Sequence, residues 1–327
     1  MIPFTLDSAD NATAALESFG GENSAYLAGG TTLLDLAKLH VLTPTHVVDV
    51  AGLSNTAISQ NDGRVRLGAQ VTMAQAAADS FLKKNYPLVT ESLALAASAQ
   101  IRNMATLGGN LLQRVRCSYF RDNHSPCNKR EPGSGCAAID GENRGHAILG
   151  TSDHCIAFHP SDFCVAMIAL DATVHTRQRS GGTREIPFAD FHLLPGDTPH
   201  KEFALKPGEL IEAISFPELP YASASTYEKV RDRASYQFAL ASAAVAIEFE
   251  GDTVKDARVA FGGVATKPWR ASEVEKVIIG NPLNTETLQA AGKAAVAGAR
   301  TFEHNAYKVP LLQRTLEKAL TVAATRA

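Results

Sequence analysis

This sequence of 327 residues contains no apolar run near the roughly 18 residues that a membrane-spanning helix needs. Its first residues, Met1-Ile2-Pro3-Phe4-Thr5-Leu6-Asp7, lack the basic and apolar segments of a secretory signal. A product made in the cytoplasm is expected, one that reaches the periplasm only by export with a signal-bearing partner. Charge of one sign is missing as well. Lysine and arginine number 31, aspartate and glutamate 34, and the net charge of −3 gives no electrostatic case for nucleic acid or an anionic membrane as partner. The ten histidines are scattered, with no zinc-ligand spacing of their own. No nucleophile–base pair stands out, so no catalytic residue is proposed, and there is no internal repeat or low-complexity tract.

What remains is a chain of ordinary globular composition, 45% hydrophobic and 20% charged, long enough for two or three domains. Its five cysteines all lie between 117 and 164. A disulfide framework usually spreads its cysteines and suits small secreted chains, so clustering here favours metal. Cys117, Cys127, Cys136 and Cys155 are separated by 10, 9 and 19. Zinc ribbons and fingers normally show one close pair, whereas an iron–sulfur cluster needs only four thiolates that converge in space. Spacing leaves three readings open: a cluster, a structural zinc, or unligated core thiols. Asn128-Lys129-Arg130, Gly133 and Gly135 are candidate N–H donors to thiolate and sulfide sulfur. Cys164 differs, sitting at helical pitch in Cys164-Val165-Ala166-Met167-Ile168, and reads as a small core residue.

Two glycine turns stand N-terminal to these cysteines. Ser24 to Ala28 predicts a strand, Gly29-Gly30-Thr31-Thr32 a turn and Leu33 to His40 a helix, an arrangement in which amides at a helix start receive phosphate oxygens. The turn is not GxGxxG and has no Walker lysine, so neither a Rossmann nor a P-loop reading is supported. Thr106-Leu107-Gly108-Gly109-Asn110 is a second small-residue loop, about eighty residues later. Either alone is weak; together they suggest the two phosphates of one dinucleotide.

Elsewhere the periodicity predicts a helix from Ala12 capped by Asp7 or Ser8, strands at 47–50 and 65–68, and helices at 73–80 and 88–98. Asp162 should cap a helix through Leu170. A hairpin at 172–188 and a strand at 210–216 follow. After Pro220 a fresh unit begins, with antiparallel strands at 236–249 and 257–264 and helices from Ala271, Thr285 and Tyr307. From Arg116 to His154 there is almost no apolar periodicity, so something other than a hydrophobic core is needed to hold that loop.

Ala28-Gly29-Gly30-Thr31-Thr32-Leu33-Leu34, Thr106-Leu107-Gly108-Gly109-Asn110-Leu111 and His159-Pro160-Ser161-Asp162 resemble the flavin-binding medium subunit of the xanthine dehydrogenase family of molybdenum hydroxylases. Lys206-Pro207-Gly208-Glu209-Leu210-Ile211, Lys229-Val230-Arg231 and Gly262-Gly263-Val264-Ala265-Thr266-Lys267-Pro268-Trp269-Arg270 extend the resemblance over essentially the whole chain. Most members lack the cysteine insertion. It resembles that of the periplasmic aldehyde oxidoreductase flavin subunit, through Arg116-Cys117, Pro126-Cys127-Asn128-Lys129-Arg130 and Pro132-Gly133-Ser134-Gly135-Cys136.

The resemblance implies an α+β fold: a two-lobed FAD-binding domain (1–52 and 53–220, with an iron–sulfur insertion at about 115–156) and a smaller C-terminal domain at 221–327. It implies FAD between the lobes, its pyrophosphate held by Leu27, Ala28, Gly29, Gly30, Thr31, Thr32, Leu33 and Leu34 and by Thr106, Leu107, Gly108, Gly109 and Asn110. Asp162 would bond a ribose or ribityl hydroxyl, though a plain helix N-cap is equally natural. Ile211 and Lys229 would lie near the isoalloxazine; without the resemblance Lys229 reads as a solvated surface charge. Cys117, Cys127, Cys136 and Cys155 would hold a [4Fe–4S] cluster. The implied activity is electron transfer in a molybdenum-dependent aldehyde oxidoreductase. Its partners would be a large molybdenum-cofactor subunit, a small [2Fe–2S] subunit and an external acceptor. A 4-hydroxybenzoyl-CoA reductase-like or xanthine dehydrogenase-like flavin subunit is the alternative, and a zinc-stapled binding protein without redox function is a third.

Overall fold

A computed structural model describes all 327 residues. The chain begins with three strands and two helices in alternation: β1 (Thr5–Ser8), α1 (Ala12–Ser18), β2 (Ser24–Leu27), α2 (Leu33–Lys38) and β3 (His46–Asp49). The strands form a parallel sheet of order β1-β3-β2, as strands joined through helices must. Seven buried residues, among them Leu16, Val48 and Leu210, form its small core.

The second lobe starts with the hairpin β4 (Ile58–Asn61) and β5 (Arg64–Gly68). Five short helices follow: α3 (Met73–Ala78), α4 (Ser80–Asn85), α5 (Pro87–Ala94), α6 (Ala99–Met104) and α7 (Leu107–Leu111). After the cysteine region, with its single turn α8 (Ser118–Arg121), come α9 (Asp162–Ala169), β6 (Thr173–Arg177), β7 (Thr183–Pro187), α10 (Phe188–Phe191) and β8 (Leu210–Pro217). The five-stranded antiparallel sheet has order β4-β5-β8-β6-β7. Helices α5 and α9 pack together in the largest core, 36 buried residues including all eight of α9 except Asp162. The last unit joins β9 (Ser225–Val230), β10 (Ala241–Glu250), β11 (Thr253–Gly262) and β12 (Trp269–Arg270) in one antiparallel sheet. Helices α11 (Ser272–Ile278), α12 (Thr285–Ala295) and α13 (Lys308–Ala324) close a 22-residue core with it.

Four expectations change. Asp7 and Ser8 do not cap α1; they lie in β1, and the Asp7 carboxylate accepts from Ser18 Oγ at 2.5 Å and from His46 Nε2 at 3.0 Å. Asn11 caps instead, accepting from the Ala14 amide at 2.9 Å. At α9 the cap is Ser161, whose Oγ accepts from the Cys164 amide, and Asp162 occupies the first helical turn. The strand expected from residue 236 starts at Ala241, because Leu240 N returns to Val230 O and leaves 231–240 as a loop at the end of β9. The loop around Cys117 is not coreless: Leu36, Val115, Phe120, Ala138, Ile156 and Ala157 pack with three of the cysteines in a small satellite core.

Candidate cofactor sites

Gly29 is where the two lobes touch. A β-carbon there would lie 1.8 Å from the Met104 carbonyl oxygen, at the end of α6. Only glycine permits that approach. Gly30 follows with φ of +70°, and the amides of Gly29, Gly30, Thr31, Thr32 and Leu33 donate to no acceptor in the protein. Consecutive unpaired amides bent by a left-handed residue make an anion-binding concavity. The second glycine loop works differently. It is the helical turn α7, and its amides are used internally: Leu107 N to Val71 O, Gly108 N to Ala69 O, Gly109 N to Thr106 Oγ1 and Asn110 N to Thr106 O. It supplies a close, flat wall rather than donors.

Two cavities open on either side of this waist and share Thr31, Thr32 and Gly109. The larger, about 540 Å³, is bounded by Ala96, Ile101, Asn110, Arg116, Asp162 and Tyr236. The smaller, about 270 Å³, lies between Tyr26, Gly29, Gln70, Gly108, Arg114 and Ile211. Each wall carries an unmatched buried polar atom: Arg116 Nε in the first, a donor, and Gln70 Oε1 in the second, an acceptor. Two pockets joined at a row of free amides fit a dinucleotide, whose two flat ends are linked by pyrophosphate. Arg116 and Arg121 reach this wall and pair with Asp35 on α2, at 3.0 and 2.9 Å.

Asp162 borders the larger cavity and is buried. Its Oδ2 accepts from Lys229 Nζ at 2.7 Å and its Oδ1 from Tyr227 OH at 2.7 Å; the Tyr227 oxygen is also 2.9 Å from Ser242 Oγ. Burial pushes the Asp162 carboxyl above the usual carboxylate range even with the Lys229 ammonium beside it. Lys229 is therefore a buried ion-pair partner, held also by Leu95 O at 3.1 Å, and not a solvated surface charge. The structure does not bring Ile211 and Lys229 together. Ile211, on β8, faces the smaller cavity; Lys229, on β9, backs the larger one. Nor do Leu27, Leu34 and Leu107 border either cavity: the first two pack around Gly30, and Leu107 is fully buried in the main core.

The four cysteines converge. Cys117, Cys127, Cys136 and Cys155 surround one small void, and Cys127 and Cys136 pair as an antiparallel bridge. Backbone amides point at the sulfurs: those of Tyr119 and Phe120 at Cys117, of Ala138, Ile139 and Ile156 at Cys136, and of Ala157 at Cys155. Burial outweighs them, pushing Cys117 up to about 12 and Cys155 to about 11, so without a cation both stay thiols. Most of the donors are not those expected. Asn128 instead braces the loop, its Oδ1 accepting from the Gly133 and Gly135 amides. Lys129 Nζ donates to Pro199 O, and Arg130 to the carbonyls of Tyr119, Phe120 and Ser125. The amides of Asn128, Arg130, Gly133 and Gly135 are spent within the loop, whereas the Lys129 ammonium lies near Cys155 and keeps N–H groups beyond the one given to Pro199 O.

His159, Cys164 and His192 offer ligand-type atoms within 4.8 Å of one another. The hydrogen bonds argue against an ion there. His192 Nε2 lies 3.0 Å from Leu111 O and so carries the proton, while His159 Nδ1 accepts from the Ser161 amide at 3.4 Å and leaves its proton on Nε2. The two nitrogens left without partners are one acceptor and one donor, where a metal needs two lone pairs.

Tyr227 was not singled out from the sequence, although alternation along β9 sets it on the face of Lys229. Arg116, Arg121 and Asp35 carried no signal, since nothing local shows that the cysteine loop folds back onto α2.

The fold and the two-cavity site define a flavoprotein subunit. Residues 3–219 match the family described as FAD binding domain in molybdopterin dehydrogenase, and residues 225–323 match the CO dehydrogenase flavoprotein C-terminal domain. The chain belongs to the FAD-binding subunits of the xanthine dehydrogenase/CO dehydrogenase family. It is 46% identical to the aldehyde oxidoreductase FAD-binding subunit PaoB of Escherichia coli (strain K12), over 97% of this chain and 96% of that one. It is 29% identical to the glyceraldehyde dehydrogenase medium chain of Sulfolobus acidocaldarius, over 83% of this chain and 78% of the relative. Among solved structures, a Cu,Mo-CO dehydrogenase in its cyanide-inactivated form aligns with a TM-score of 0.77 at 26% identity, covering 100% of both chains.

Proposed function

We propose that this chain is the flavin- and [4Fe–4S]-bearing electron-transfer subunit of a molybdenum-dependent aldehyde oxidoreductase. Aldehyde oxidation would occur on a large molybdenum-cofactor subunit, and electrons would arrive through [2Fe–2S] clusters on a small subunit. The likeness to an aldehyde oxidoreductase subunit supports the substrate class. Bound FAD supplies the exchange of two electrons with an external acceptor. The residues of this chain bind and insulate. Gly29 to Leu33 would hold the pyrophosphate on free amides, α7 would press its glycines against it, and Arg116 and Arg121 would offset its charge.

The observation that carries the cluster reading is the sulfur arrangement. Four cysteines, three buried and Cys136 half-buried, share one void, yet no three of their sulfurs lie within 4.8 Å of one another. A single tetrahedral zinc with Zn–S of about 2.3 Å needs sulfurs about 3.8 Å apart. Wider spacing suits a polynuclear cluster. We assign the cluster a mainly structural role, because only a nine-residue satellite core otherwise holds this region.

Purification of the native complex with iron, zinc and flavin analysis tests the reading. About four irons per chain beyond those of the partner, with one FAD, is the expected result; zinc in place of iron overturns the cluster, and a colourless protein overturns the flavoprotein. Cys136→Ser should lose the inserted cluster and subunit assembly together. A stable Cys136→Ser complex with altered electron-transfer rate alone would show a relay instead.

A further inference from the structure

One side chain in the insertion touches a cysteine sulfur without belonging to the cysteine set. His146 Nε2 lies 3.2 Å from Cys117 Sγ. The imidazole is buried, its amide is fixed by Asn143 O at 2.9 Å, and the next residue pairs back through Ala147 N to Ile156 O. Its Nδ1 is buried with no partner. A neutral imidazole has one N–H and one lone pair. An orphaned N–H in a dry site costs more than an orphaned lone pair beside a second, satisfied nitrogen, so the proton belongs on Nε2, facing sulfur. The other hydrogen-bond donors to the cysteine sulfurs are backbone amides. His146 is the side chain whose hydrogen bond reaches a cysteine sulfur; the Lys129 ammonium lies near Cys155 but donates to Pro199 O.

Resting on the cluster reading above, we propose that His146 is a potential-setting residue: its Nε2–H donates to the Cys117 thiolate and makes the inserted cluster easier to reduce. The sign follows from electrostatics. Reduction adds one electron and one unit of negative charge, with no bond broken. A donor aimed at a ligating sulfur stabilises the more negative state more, so it raises the potential. Only the part of the bond gained on reduction counts; a tenfold change in the reduced-to-oxidised ratio, the largest effect expected of one donor, is about 59 mV for a one-electron couple. The segment that carries His146 also joins the cysteine loop to the C-terminal domain. The neighbouring Arg144 and Gly145 are held there by Asp232, and by Lys308 Nζ at 3.0 Å from Gly145 O.

The test uses the assembled complex. A dye-mediated titration with dithionite as reductant follows the paramagnetic signal of the reduced inserted cluster in wild type, His146→Leu and His146→Gln. His146→Leu should titrate at lower potential by up to the stated amount, and His146→Gln, which keeps an N–H donor, should recover part of the shift. A merely space-filling histidine would alter cluster content and leave the potential in place. An unchanged potential in a cluster-loaded His146→Leu complex overturns the inference while leaving the cluster reading intact; absence of iron from the wild type overturns the reading beneath it. Should His146→Leu lose its cluster, a complex that keeps His146 decides. With histidine alone carrying ¹⁴N in a ¹⁵N background, and with His154, which lines the same void, replaced in a His154→Gln complex, pulsed EPR of the reduced cluster should detect one coupled ¹⁴N, and no coupling refutes the contact.

Discussion

Gly29→Ala separates a site between the lobes from a site within one of them. The added β-carbon would fall 1.8 Å from the Met104 carbonyl oxygen and 2.5 Å from its carbon. Both are backbone atoms anchored by α6, so no side-chain rotation relieves the overlap. Ordinary contact begins at 3.4 Å, which requires one lobe to withdraw by about 1.6 Å. Overpacking of this kind costs about 1–3 kcal/mol, and each kcal/mol lowers Tm by roughly 2–4 °C in a domain of 150–250 residues. FAD should suffer more, because the displacement moves the free amides of residues 29–33 away from the wall formed by α7. Misplacement of about 1 Å is enough for a hundredfold loss elsewhere, and we expect FAD affinity to fall about a hundredfold, measured as retained flavin per chain and as Kd on reconstitution. Gly109→Ala is the companion: its β-carbon would meet only Thr106 Oγ1, at 3.0 Å, and would otherwise take ligand volume. It should lose flavin while the flavin-free protein keeps its Tm. Gly182→Ala, with nothing nearer than Ser180 Oγ at 3.8 Å, should change neither. Stoichiometric flavin and a wild-type Tm in Gly29→Ala would refute the contact between lobes as the grip on the cofactor.

Lys229→Met leaves the Asp162 carboxylate buried and unpaired, and should cost about 3–5 kcal/mol in chemical denaturation. With its folded pKa raised above the unfolded value, Asp162 contributes stability that is complete below the unfolded pKa and lost as pH rises through the folded one. The variant should therefore recover relative to wild type as pH falls from 7 toward about 4; a parallel pH profile would contradict the buried pair. Tyr227→Phe removes one hydroxyl from Asp162 and Ser242, with an expected loss of about 1–3 kcal/mol by denaturant titration. Its FAD binding should weaken less than that of Lys229→Met, and the reverse order would place Tyr227 on the ligand. Saturating FAD at about 100 times its Kd should stabilise the flavin-free protein by about 2.7 kcal/mol, and should not stabilise Gly109→Ala at the same concentration.

Residue types and spacing alone marked the two glycine turns, the four separated cysteines and the change of unit after Pro220, because each is a local departure from ordinary periodicity. They could not say which turn offers amides. Gly29 to Leu33 and Leu107 to Asn110 look alike in sequence, yet the acceptors that silence the second set, Ala69 O and Val71 O, come from a segment almost forty residues earlier. Strand β1 is exposed along its whole length and has no apolar alternation to betray it; pairing with β3 alone makes it a strand. The same limit hid Tyr227 as partner of Asp162 and His146 as neighbour of Cys117. A side chain's period fixes the face it occupies, and only the folded chain fixes what lies opposite that face.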